Sequence, residues 1–140
     1  MTESEIMKMN NIDHRRHYII MMDTETANTL TRADGGLDMT SVFIYDIGWQ
    51  VTDKYGNLYE QKSYIVKEIF YGEADLMKSA YYAKKIPQYL EEIARGERVV
   101  ATYAAIRKDF LDTMARYDTK TICAHNAGFD YRATNTTQRW

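Results

Sequence analysis

The sequence predicts an α/β domain built on a mixed sheet, with both antiparallel and parallel strand pairs. Three observations carry that expectation. A short continuous apolar run, Tyr18-Ile19-Ile20-Met21-Met22, stands near the start of the chain. Two segments rich in β-branched and aromatic residues, joined by turn residues, follow it. Helical apolar spacing then leads into a second short apolar run near Cys123.

Residues 1–16 are polar and Met-rich without a clear period, and are expected to be a flexible arm leading into a domain over residues 17–140. The run from Tyr18 to Met22 is too short for a free-standing helix and reads as a strand buried on both faces, stopping at Asp23. After a polar connection from Thr29 to Asp38, alternate positions Phe43, Tyr45, Ile47, Trp49 and Val51 mark a second strand over Ser41 to Val51. Asp53-Lys54-Tyr55-Gly56-Asn57 supplies turn chemistry, and Leu58 to Lys67 returns as the third strand, closing a hairpin. Between Glu73 and Arg95 the pattern is helical but broken at Pro87, which suits the first turn of a new helix, so two short helices are expected, the second stopped by Gly96. Apolar residues from Val99 through Phe110 and Met114 to Tyr117 predict a third helix. Lys120 to His125 reads as another short buried strand, and a helical start follows from Ala127. The crossover through the helices makes the first and last strands parallel neighbours. Sites in such sheets form at the carboxyl ends of the strands, which brings Asp23-Thr24-Glu25 towards His125-Asn126.

Composition narrows the function classes. The chain has 140 residues, 45% apolar, with 18 Lys+Arg against 20 Asp+Glu. That suits one domain with a real core, and the near balance of charge argues against gripping nucleic acid by bulk electrostatics. No apolar run approaches the roughly 18 residues of a membrane span, and the opening Met1-Thr2-Glu3-Ser4-Glu5 lacks the order of a signal peptide, so no membrane contact is expected. A single cysteine, Cys123, builds neither an intrachain disulfide nor a thiolate zinc site, which fits a cytoplasmic protein.

Asp23 and Glu25 are two apart in an extended segment, so both carboxylates project from one face and can share a cation. Side by side on an apolar sheet they cost several kcal/mol unless a metal or protons offset them, and Mg²⁺ or Mn²⁺ is the natural partner of such oxygens. An Asp-x-Glu triplet is common by itself, and its plain reading is a polar strand end. A second cluster, Ala124-His125-Asn126-Ala127-Gly128-Phe129-Asp130, falls at the expected junction of last strand and last helix. There the plain reading of Asp130 is a carboxylate favoured by a helix N-terminus.

Together the two clusters resemble the metal-dependent 3′-5′ exonucleases of the DEDD superfamily, which have the ribonuclease H-like fold and include the proofreading subunit of bacterial replicative polymerase. Met22-Asp23-Thr24-Glu25-Thr26 matches their first motif and His125-Asn126-Ala127-Gly128-Phe129-Asp130 their second. The stretch from Lys84-Lys85-Ile86-Pro87 to Asp130 looks like versions found in bacteriophage genomes. The resemblance implies that Asp23, Glu25 and Asp130 are catalytic and hold two Mg²⁺ or Mn²⁺ ions, with Asp23 bridging. It implies that Thr24, Thr26 and Asn126 approach the substrate and that His125 orients a neighbouring group. The activity implied is hydrolysis of phosphodiesters at the 3′ end of a single-stranded nucleic acid.

The family's third motif, which delivers the general base and a fourth carboxylate, has no counterpart after Asp130, where residues 131–140 hold no acid. Loss of a general base costs about 10²- to 10⁴-fold in rate, so the chain as it stands is expected to be weak or inactive. The alternative is a non-catalytic remnant of the same fold that binds nucleic acid or protein. The fold would also lack the helix that covers the sheet, leaving strands such as Ile19-Ile20-Met21 open and favouring a homo-oligomer or a covering subunit.

Overall fold

The computed structural model describes residues 12–13, 15–27, 43–78, 80, 83–124 and 133–134. Its strands are β1 (Tyr18–Ala27), β2 (Phe43–Asp53), β3 (Leu58–Val66), β4 (Val99–Ala101) and β5 (Thr121–Cys123). Between β3 and β4 run two single-turn helices, α1 (Lys67–Phe70) and α2 (Ala74–Met77), then a 3-10 turn (Ala83–Lys85) leading into α3 (Ile86–Ala94). The longest helix, α4 (Tyr103–Tyr117), joins β4 to β5. The α/β class with a mixed sheet is as expected: the strand order is β4-β3-β2-β1-β5, with β1-β2 and β2-β3 antiparallel and β1-β5 and β3-β4 parallel. Every strand except β2 therefore points the same way, and their carboxyl ends share one end of the sheet.

The hairpin turn follows from Asp53. Its carboxylate accepts the backbone N–H groups of Tyr55 (2.9 Å) and Asn57 (3.1 Å), the Asn57 side-chain amide (3.0 Å) and the Tyr59 hydroxyl (2.7 Å). Gly56 makes the left-handed step with φ 82°. The hairpin then sets the register of the sheet, from Asp46 opposite Ile65 to Gln50 opposite Gln61.

Three expectations need correction. β1 does not stop at Asp23 and is not buried on both faces: it continues to Ala27 because β2 pairs with it as far as Ala27 opposite Phe43, past a bulge between Glu25 and Thr26. Tyr18 and Ile20 enter the core, while Met21 on the other face is 43% exposed. The expected helix over Val99 to Tyr117 is split. Val99-Val100-Ala101 pairs with Tyr64-Ile65-Val66 as β4, and the helix starts only at Tyr103, where the Thr102 hydroxyl accepts the Ala105 N–H (3.2 Å). β-branched residues beside an open strand edge outweigh the helical period here. β5 is shorter than predicted and not buried, because it lies at the edge of the sheet, with Ile122 42% exposed. Pro87 does sit in the first turn of α3, and Gly96 follows its end at φ 76°.

Helix α4 packs on one face of the sheet. Trp49 meets Phe110 edge-on (5.2 Å between centroids), and Tyr18 meets Tyr117 (5.0 Å). Beside these rings runs a line of charge: Lys62 donates to Asp109 (2.7 and 2.9 Å), Tyr64 donates to the same carboxylate, and Arg116 donates to Glu60 (2.7 Å). Of the expected arm, the described part is tied down: the Asp13 N–H donates to the Tyr18 hydroxyl (3.2 Å), and Arg16 donates to the Tyr59 hydroxyl (3.1 Å). Among the described residues, no helix is long and apolar enough to cross a membrane.

Candidate functional site

Asp23 and Glu25 lie within β1 rather than beyond its end, on the face turned away from α4. A strand alternates its side chains, so residues two apart stand on one face with their Cα atoms about 6.6 Å apart. Across the sheet, Asp23 pairs with Gly48 and then Ser63, while Glu25 pairs with Asp46 and then Ile65. Asp23 is exposed and Glu25 half-buried.

This register adds a third acid that the motif reading missed. Asp46 stands directly opposite Glu25 and receives the Tyr89 hydroxyl of α3 (2.9 Å) and an Arg98 guanidinium nitrogen (3.3 Å). Arg98 is itself held by Glu92 and lies over the Tyr89 ring (4.0 Å to the centroid). Burial pushes the Asp46 carboxyl above the usual range; the Tyr89 and Arg98 contacts pull it back, and the charge of Asp23 adds to the upward push. Burial and the Asp46 charge likewise raise the Tyr89 phenol. The signal in the sequence was a lone acid interrupting Phe43-Ile44-Tyr45-Asp46-Ile47, an apolar strand run where an acid needs partners.

Beside Asp23 the same face carries an open groove of about 380 Å³, lined by Met21, Asp23, Gly48, Gln50, Gln61 and Ser63 among its described residues. The Gln50 amide donates to the Gln61 carbonyl oxygen across the ladder (3.2 Å). Gly48 forms the floor next to Asp23.

Of the other expected site residues, Thr24 is buried on the α4 face, 8% exposed, so its hydroxyl points away from the side that bears Asp23. Thr26 is half-buried beyond the bulge. His125, Asn126 and Asp130 lie outside the described residues. The residues that flank them are described. Cys123 pairs with Met21, two residues before Asp23 in β1. Ala133 is fully buried, and the Thr134 carbonyl accepts the hydroxyl of Tyr103, just past the carboxyl end of β4.

Two carboxylates projecting from one strand face suit a hard divalent ion, since Mg²⁺ is commonly held by one or two carboxylates and completes its octahedron with water. Asp46 is engaged by Tyr89 and Arg98. Among the described residues no group of three His, Cys, Asp or Glu side chains converges as a metal cage. Compared with protein-family models, with curated proteins and with solved structures, the chain matches none.

Proposed function

We propose that this chain is a DEDD-type, ribonuclease H-like domain that hydrolyses phosphodiesters at the 3′ end of a single-stranded nucleic acid, using Mg²⁺ or Mn²⁺, in the cytoplasm. One observation carries the reading: Asp23 and Glu25 share the open face of β1, and its parallel neighbour β5 ends two residues before the His125-Asn126-Ala127-Gly128-Phe129-Asp130 run. The order β3-β2-β1-β5, antiparallel then parallel, supports the same fold.

In this reading Asp23 and Glu25 hold the ion, and Asp130 is a further ligand. The bound metal would activate a water and stabilise the leaving oxygen of the phosphodiester. The chain's own residues set the stage for that chemistry. Glu25 and Asp23 fix two oxygen donors on a hydrogen-bonded strand, which allows little movement. Tyr89 and Arg98 take up the Asp46 carboxylate, which keeps a third negative charge from adding its full repulsion to substrate phosphate.

The test is incubation of 3′-labelled single-stranded DNA and RNA with Mn²⁺, beside an Asp23→Asn control. Loss of label by wild type and not by the control is expected. If neither protein degrades either strand, hydrolysis is wrong; Mn²⁺ raising the melting temperature of wild type alone would then leave a binding remnant that retains the ion site.

A further inference from the structure

We infer that the groove beside Asp23 is a nucleobase subsite, with the side-chain amides of Gln50 and Gln61 reading the hydrogen-bonding edge of the base whose phosphate lies at Asp23 and Glu25. The inference deepens the proposed hydrolysis and rests on it for the placing of the phosphate.

The chemistry of the lining excludes a phosphate track. Lys62 is the one cation among the groove's described lining residues, and its ammonium is turned to the opposite face of the sheet, on Asp109 (2.7 Å). Apart from the Asp23 carboxylate, the polar lining is neutral and hydrogen-bonding, namely the two amides and the Ser63 hydroxyl, beside the exposed flank of Met21. The Gln50–Gln61 bond uses one amide N–H of Gln50 and the carbonyl of Gln61. That leaves the Gln50 carbonyl oxygen as an acceptor and the Gln61 amide NH₂ group as a donor on the same exposed cross-strand pair. Every nucleobase presents an adjacent donor and acceptor on its pairing edge, so the pair can serve any base, as an exonuclease without sequence preference requires. The thioether of Met21 offers a soft surface for a ring.

Spacing and volume agree with one nucleoside. Gln50 stands opposite Met21, two residues before Asp23 in β1, so amide and carboxylate rows are about 6.6 Å apart along the strand. One sugar bridges such a gap. The volume of about 380 Å³ holds a base and sugar but not a folded duplex end. Gly48 keeps the floor low: a Cβ there would meet the Lys62 carbonyl oxygen at 3.5 Å and Ser63 at 3.9 Å, ordinary contacts, so the position tolerates alanine while the groove does not keep its depth.

The full chain is titrated in Mn²⁺ with 5′-AMP, the kind of mononucleotide this hydrolysis releases, and with ribose 5-phosphate, which lacks the base. Wild type should bind 5′-AMP about tenfold more tightly than ribose 5-phosphate, and the double variant Gln50→Ala/Gln61→Ala should lose about that factor for 5′-AMP alone. Gly48→Ala should weaken 5′-AMP binding with its melting temperature nearly unchanged. Equal binding of the two ligands, no binding of 5′-AMP, or a double variant that binds like wild type overturns the subsite. So does light scattering that finds wild type a dimer and Gly48→Ala a monomer, since the face would then belong to a second copy. A chain that binds 5′-AMP through the groove yet never shortens labelled strands overturns the hydrolysis and keeps the subsite. A chain that shortens strands with KM unmoved by the double variant does the reverse.

Discussion

Glu25 on β1 stands directly opposite Asp46 on β2, two acids paired across an antiparallel ladder. Like charges in that position destabilise a sheet by a few tenths to about 1 kcal/mol. The fold tolerates the pair because α3 and the segment before β4 bring Tyr89 and Arg98 onto Asp46. Three acids thus stand on one side of β1 and β2, and only Asp46 among them lies under Tyr89 and Arg98.

Asp46→Asn should therefore be neutral or stabilising by about 1 kcal/mol at pH 7, because the amide keeps an acceptor for Tyr89 and removes the repulsion. The folded-state pKa of Asp46 is raised. Its contribution is thus fully present below the unfolded value, about pH 4, and is lost as pH rises through the folded value. Melting curves between pH 4 and pH 8 should show wild type losing stability relative to Asp46→Asn. Arg98→Ala should destabilise by about 1 kcal/mol at pH 7 by leaving the Asp46 charge without its partner. A melting temperature unchanged in both variants would contradict the role assigned to Arg98.

Asp53 titrates with the opposite sign. Its hydrogen bonds from Tyr59 and Asn57 hold the carboxyl far below the usual range. The stability it confers is present above about pH 4 and is lost as pH falls through the folded value. Asp53→Ala should lower the melting temperature at pH 7 by about 5 °C or more and flatten the acid limb of the stability profile, read by circular dichroism.

The line of charge under α4 is open to a double-mutant cycle. Asp109→Ala removes the partner of Lys62 and of the Tyr64 hydroxyl together, and should cost about 2 kcal/mol in urea unfolding. Lys62→Met in the same background should recover part of that loss, since no uncompensated ammonium remains. Additive effects of the two changes would show that Lys62 and Asp109 do not act as a pair.

Two glycines should answer alanine differently. Gly56 occupies φ 82° in open space, so Gly56→Ala should cost about 1 kcal/mol through backbone strain alone. At Gly48 an added Cβ meets neighbours at ordinary distances, so Gly48→Ala should change stability by less than about 0.5 kcal/mol. Urea titrations of both variants compare them, and a Gly48→Ala as damaging as Gly56→Ala would mean that the floor of the groove cannot take a side chain.

Elements governed by local chemistry were legible in the sequence. Alternation through Ile47, Trp49 and Val51 located β2, and Asp53 to Asn57 located its turn. Pro87 opened α3, Gly96 closed it, and the last strand lies parallel beside β1 as the crossover through helices implied, although β4 divides that crossover in two. Periodicity misread Val99-Val100, because two apolar residues before a helix look like its first turn until a neighbouring strand edge is present to pair with them. The family resemblance placed Thr24 with the substrate, whereas alternation along the strand turns that side chain to the α4 face.

The sequence by itself determined that Asp23 and Glu25 share a face, because period two is a property of the extended backbone and needs no neighbour. Only the tertiary structure decided which face that is, which acid stands across from it, and that Gln50, Gln61 and Gly48 form a groove beside it. Those relations depend on the register between strands and on which side α4 covers, and both are set by contacts between residues far apart in the chain.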